Sequence, residues 1–331
     1  MPSPLLRPSR LHPGDTVVIA APSGPAMPDR RGELDAAVAT IEDMGFRPRL
    51  SGLVESAARH FWRAAPPAEQ AAELNQLLSD PEVRAIVPFS GGNATTGYLD
   101  RIDYDAVRAD PKPMLGFSDI TALHLAVHSQ TGLIGFHADF AAPGFGDMWL
   151  QADPRRRTEL LDLYRDLLTG RLPETELPAA TEWEAWRPGE ATGRLVGGLL
   201  DRLVRLQSTP YALAPERFDG AILFWEEIGR PLGHIWNDLH ALRMQGVFDR
   251  IAAMVVGIPS RIEGPPEQYG PATVEDVVLD VLDDFEFPIL AEVDFGHTGP
   301  NLPMPIGLKA TVEAAAETGD HLLKLLESPV A

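Results

Sequence analysis

Three residues far apart in the chain have the types needed for acyl transfer: Ser118, Glu226 and His297. A serine hydroxyl attacks only when a base takes its proton, and the base works best when a third group orients it. Ser118 follows the apolar run Pro113-Met114-Leu115-Gly116-Phe117, and a helix-like stretch starts directly after it. Strand, tight turn and helix in that order expose a hydroxyl on the turn. They also aim N–H groups of the helix start at whatever it attacks. The usual elbow is G-x-S-x-G, and Ile120 stands where its second glycine belongs. A plain helix N-cap is the competing reading of Ser118.

His297 lies in Gly296-His297-Thr298-Gly299-Pro300-Asn301, a punctuated loop just past a strand-like run. Loops in that position carry sites more often than helix faces do, although a surface-loop histidine is the competing reading. Glu226 ends the apolar run Ala221–Trp225, which puts a carboxylate at a sheet's carboxyl edge. Glu227 competes with it for that role, and a partner for Arg230 is the bland alternative. His124 and His128 share a helix face but lack the glutamate and third ligand of a zinc motif. His12, His60 and His321 read as solvated, and His234 and His240 as structural. No metal or cofactor is expected.

The elements that must position these residues alternate. Strands are expected at Thr16–Ala21, Phe46–Leu50, Arg84–Phe89, before Ser118 and at Leu133–Phe136. Helices are expected at Arg31–Met44, at Pro67–Leu78 and from Ser118 to about Gln130. This β-α-β-α order predicts a parallel sheet covered by helices, with sites at the strands' carboxyl ends. Residues 1–143 form this N-terminal α/β domain. Residues 144–190 are polar and Pro-, Glu- and Arg-rich, and read as a connecting segment. Residues 191–331 form a C-terminal α/β domain, with a helix over Leu195–Leu206, strands at Ala221–Trp225 and Ile251–Gly257, and a short strand at Pro288–Leu290. The active site is expected in the cleft between the two.

At 331 residues with 44% hydrophobic content, the chain can bury cores of that size. A net charge of −20 opposes binding to nucleic acid and to anionic membranes. The lack of cysteine excludes thiol catalysis, disulfides and cysteine-ligated zinc. The N-terminus does not read as a signal peptide and no stretch reads as a membrane span, so a cytoplasmic protein is expected.

The ordered motifs resemble the LD-carboxypeptidase family of serine peptidases, which includes the microcin C self-immunity proteins. The resemblance covers nearly the whole chain. It rests on Leu11-His12-Pro13-Gly14-Asp15, Ser90-Gly91-Gly92-Asn93, Gly116-Phe117-Ser118-Asp119, Gly193-Arg194-Leu195-Val196-Gly197-Gly198 with Leu223-Phe224-Trp225-Glu226, and Gly296-His297 with Leu302-Pro303. It implies Ser118 as nucleophile, His297 as base, Glu226 as its orienter, and the N–H groups of Gly92 and Asp119 as the oxyanion hole. It also implies a homodimer. Ser90 departs from the arginine that many members carry before the two glycines. Asn93 and Trp186 look like the microcin-immunity branch, with Trp186 a candidate to stack on a nucleobase. The expected substrate is a murein tetrapeptide (cell-wall recycling) or an aminoacyl- or peptidyl-nucleotide (antibiotic self-immunity). A non-catalytic two-domain binding protein is the alternative.

Overall fold

Strand β1 (Thr16–Ala20) is buried along its whole length, as suits an apolar β-branched run covered on both faces. The computed structural model describes residues 4–57, 59–316 and 320–331. In it β1 lies between β2 (Arg47–Leu50) and β3 (Val83–Pro88), and all three are parallel. The helices Arg31–Asp43 and Pro67–Ser79 lie in the crossovers. Single parallel bridges, Ile86 to Met114 and Leu115 to Phe136, carry this sheet on to the segment before Ser118 and to β4 (Phe136–His137). The helix Ile120–Thr131 links those two and is buried on nearly every side.

The second sheet is larger. Strands β5 (Thr175–Glu176) and β6 (Glu184–Arg187) are its two edges, and both come from the stretch read as a connection. Between them run β13 (Leu322–Leu325), β12 (Lys309–Ala314), β7 (Gly189–Leu199), β8 (Ile222–Glu226), β9 (Ala253–Gly257) and β10 (Ile289–Val293), in that order. Strands β7 to β10 are parallel, so their carboxyl ends share one edge.

The helix expected over Leu195–Leu206 starts only at Leu200. Leu195–Leu199 is the inner half of β7, paired residue for residue with Ile222–Glu226. Periodicity cannot separate a short buried strand from a buried helix. The two glycines decide here. A Cβ on Gly197 would lie 1.6 Å from the Phe224 carbonyl oxygen, and one on Gly198 would lie 2.5 Å from Thr121 Cγ2. They let β7 press against β8 on one side and the Ile120–Thr131 helix on the other.

The domains are joined at several points. Strand β11 (Met304–Pro305), from the C-terminal half, pairs antiparallel with β4. The Leu199 N–H donates to Thr121 Oγ1 at 3.0 Å. Buried apolar residues of both halves form one cluster. No helix among the described residues is long and apolar enough to cross a membrane.

Candidate active site

Ser118 sits at φ +55°, a left-handed conformation that costs a non-glycine residue energy and recurs at functional turns. Ile120 is tolerated where elbows usually need glycine because Gly116 makes the room. A Cβ on Gly116 would lie 3.1 Å from Ile120 Cγ2. The glycine loop runs directly past the serine, and a Cβ on Gly91 would lie 3.0 Å from Ser118 Cβ. Gly92 has φ +154°, and a Cβ there would meet Ser23 Oγ at 2.6 Å. The N–H groups of Gly92 and Asp119 enter none of the hydrogen bonds found among the described residues.

The Asp119 side chain, which the sequence left without a role, fastens this corner together. Its Oδ2 accepts from Ser23 Oγ (2.6 Å) and from the N–H groups of Ala94 (2.7 Å) and Thr95 (3.0 Å), while Oδ1 accepts from Arg202 Nε (2.8 Å). Burial by itself would raise the Asp119 carboxyl. The Ala94 N–H, the Arg202 charge, the Ser23 hydroxyl and the Thr95 N–H more than offset it and hold the group below the ordinary value. Arg202 belongs to the helix Leu200–Leu206 of the other domain, so this ion pair also spans the cleft.

Glu226 is the last residue of β8 and is fully buried. Its Oε2 lies 2.8 Å from His297 Nδ1. With Nδ1–H committed to the carboxylate, Nε2 is the ring nitrogen left to act as a base. Gly296 lets the loop approach, since a Cβ there would lie 3.2 Å from Glu226 Cβ. The His297 ring stands edge-on to Phe117, centroids 4.9 Å apart, and Phe117 is bonded to Ser118. Ser118 and the Glu226–His297 pair thereby converge from two domains. No hydrogen bond joins Ser118 Oγ to His297 among the described residues, as is common where the reacting groups close up only around substrate.

Asn301 fixes the histidine loop from behind. Its Oδ1 accepts from the Gly296 N–H at 2.5 Å, and its Nδ2 and backbone N–H donate to Asp139. Asp139 also accepts from Trp149 Nε1 at 2.7 Å. Burial pushes the Asp139 carboxyl up to about 6, against the pull of these donors.

Glu227 is placed differently from Glu226. It accepts from the N–H groups of Ile228 and Asp201 and from Arg230 Nη1, and it does not meet His297. Asn93 is exposed beside the glycine loop. Its Oδ1 accepts from Arg202 Nη2 and its carbonyl from Trp62 Nε1. Trp186 is not brought to this group. It is half-buried on edge strand β6, beside the amino-terminal half of β10, with its Nε1 on Glu184. His124 and His128 are buried and bond the backbone carbonyls of Gly116 and Leu133. Burial lowers both to about 4. Arg202, Asp139 and Asn301 gave no signal in the sequence, because each acts through a partner more than 80 residues away.

Comparison with known proteins places the chain among relatives of one architecture. A family profile described as the LD-carboxypeptidase N-terminal domain matches residues 17–138, and one described as the LD-carboxypeptidase C-terminal domain matches residues 192–312. The microcin C7 self-immunity protein MccF of Escherichia coli is 29% identical over 322 residues, covering 91% of each chain. The murein tetrapeptide carboxypeptidase of Pseudomonas aeruginosa is 27% identical, covering 85% of this chain and 88% of its own. The structure of MccF in complex with glutamyl sulfamoyl guanosine superposes with a TM-score of 0.86 at 23% identity, over 98% of this chain and 100% of that one.

Proposed function

The chain belongs to the LD-carboxypeptidase family, and on that premise we propose that it is a serine carboxypeptidase acting through Ser118, His297 and Glu226. The observation that carries the reading is the 2.8 Å contact between Glu226 and His297, opposite a serine held at positive φ. As the Ser118 Oγ–C bond forms, the hydroxyl proton passes to His297 Nε2. The N–H groups of Gly92 and Asp119 receive the developing oxyanion, an arrangement in which one donor is worth about a hundredfold in rate. The C–N bond then breaks, and His297 returns the proton to the leaving nitrogen. Water, deprotonated by His297, hydrolyses the ester and regenerates Ser118. Glu226 holds the ring and balances its charge.

The substrates proposed are a murein tetrapeptide, losing its terminal residue, or an aminoacyl- or peptidyl-nucleotide. Asn93, exposed with its Nδ2 available as a donor, is proposed as a substrate contact in the second case, and Trp186, held on β6, is not. A cytoplasmic location and a homodimer belong to the same proposal. Its test is mass-spectrometric turnover of a murein tetrapeptide and an aminoacyl-sulfamoyl-adenosine in one mixture. The wild type should release an amino acid from one of them, and Ser118→Ala should lose about 10⁴-fold or more with its melting temperature kept. Full activity in that variant ends the serine mechanism. Tight binding of either compound without turnover favours the non-catalytic alternative.

A further inference from the structure

Strand β2 ends at Leu50, and the chain then crosses the carboxyl edge of the first sheet before the helix Pro67–Ser79 begins. Sites of parallel α/β sheets lie at that edge. Within this crossing the His60 and Arg63 backbones bond each other in both directions, at 2.7 and 3.1 Å. Phe61 and Trp62 are therefore the tip of a two-residue hairpin turn. Phe61 has φ +60° at the first central position, where such a turn favours glycine. A bulky side chain is strained there. Both rings also stand in solvent, Phe61 73% and Trp62 59% exposed. Two bonds tie this tip to the serine corner. Trp62 Nε1 donates to the Asn93 carbonyl at 2.8 Å, and the Ala64 N–H donates to the Ser23 carbonyl at 3.1 Å. Asn93 follows Gly92, a proposed oxyanion donor, and its side chain meets Arg202 of the other domain. Ser23 bonds Asp119, the neighbour of Ser118. The hairpin is thus part of the rim around the serine.

The chemistry of the tip selects its ligand. With its N–H spent on Asn93, the Trp62 indole offers ring surface and no donor. The Arg63 guanidinium lies 5.1 Å from the Trp62 ring centroid and 5.9 Å from that of Phe61. Arg59 beside it is exposed, and neither arginine is ion-paired among the described residues, in a protein of net charge −20. Exposed aromatic rings next to unpaired cations suit a flat base carried on an anionic chain. A murein tetrapeptide, made of aliphatic and charged residues, brings no flat ring. Resting on the carboxypeptidase reading above, we infer that the Phe61–Trp62 hairpin is the platform on which the base of an aminoacyl- or peptidyl-nucleotide stacks. The tip then favours the nucleotide substrate over the peptide one. It takes the stacking role that the resemblance gave to Trp186.

The test is a calorimetric titration with adenosine monophosphate and, separately, with ribose 5-phosphate, which lacks the base. The wild type should bind the nucleotide and bind the sugar phosphate far more weakly. Trp62→Ala should weaken nucleotide binding about tenfold or more, the worth of one stacked base. Trp62→Phe loses the bond to Asn93 but keeps a ring, and should retain most of the affinity. Phe61→Gly gives the turn the residue it favours, so it should keep or raise the melting temperature while nucleotide binding falls. A lower melting temperature in that variant makes the ring structural and overturns the inference. So does any of four other results: no nucleotide binding in the wild type, equal affinity for ribose 5-phosphate, unchanged affinity in Trp62→Ala, or a loss in Trp186→Ala in its place. A change of oligomeric state in Trp62→Ala, with nucleotide binding intact, overturns it in favour of a contact between copies. The titration needs no turnover. A protein that binds the nucleotide through Trp62 yet cleaves nothing keeps the platform and loses the serine-peptidase reading. One that cleaves murein tetrapeptide and binds no nucleotide does the reverse.

Discussion

The two halves of the candidate site are held by different means. In the N-terminal half, Ser118 rides on a backbone turn at φ +55° whose surroundings are tied by the charged, multiply bonded Asp119. In the C-terminal half, His297 stands on a loop of ordinary hydrogen bonds, backed by Glu226 and Asn301. Strain positions the first group and side-chain contacts position the second. Yet each fastening reaches across the cleft. Arg202 of the C-terminal domain secures the corner around Ser118, and Asp139 of the N-terminal domain secures the loop of His297. Neither domain completes its own share of the site.

The sharpest way to break this comparison is to remove the charge behind the base. Glu226→Gln keeps the shape and should lower kcat about 10³- to 10⁴-fold, the scale seen when a triad carboxylate becomes an amide. Glu227→Gln should instead lower stability, since it weakens the contacts to Arg230 and Asp201. Steady-state kinetics beside thermal melting separates the two, and equal kinetic losses would refute the assignment of Glu226.

A smaller effect comes from cutting the cross-domain ion pair. Asp119→Asn and Arg202→Met should each cost about 1–2 kcal/mol of stability, because each breaks a buried charge pair while Asp201 still faces Arg202 and the Ser23, Ala94 and Thr95 donors still hold Asp119. The double variant should cost clearly less than the sum. Additive losses in denaturant titrations would mean that the pair is not coupled.

The smallest effect concerns the other fastening and is read through pH. The Asp139 carboxyl is raised to about 6 in the fold from 3.8. The folded state therefore binds its proton more tightly, and the stability this gives is complete below about 4 and lost as pH rises through about 6. Asp139→Asn removes that dependence. The variant is less stable throughout, since an amide cannot accept from all of Trp149 and Asn301, but its deficit should shrink between pH 4 and 7. A constant difference in melting temperature across that range would contradict the raised value.

Much of this was legible in the chain. The alternation up to Phe136 marks a parallel sheet, and glycine punctuation marks the turns at Gly91, Gly116 and Gly296. What escaped was of two kinds. Leu195–Leu199 has the composition of either element, and only contact with Phe224 and Thr121 makes it a strand. The hairpin β12–β13 and the edge strands β5 and β6 are short and partly exposed, so their apolar residues carry little periodic signal. Pairings such as Asp119 with Arg202, or Asp139 with Asn301, depend on which distant residue arrives, and local spacing does not encode that.

Met304 and Pro305 lend the first sheet a strand that its own domain lacks. An engineer wishing to graft this N-terminal lobe onto another partner would inherit a raw edge at Phe136 and His137, a ready template for self-association. The two lobes are therefore a single unit of inheritance and of manufacture. They can be exchanged between relatives together, and an N-terminal lobe produced alone would need that two-residue strand returned to cover its edge.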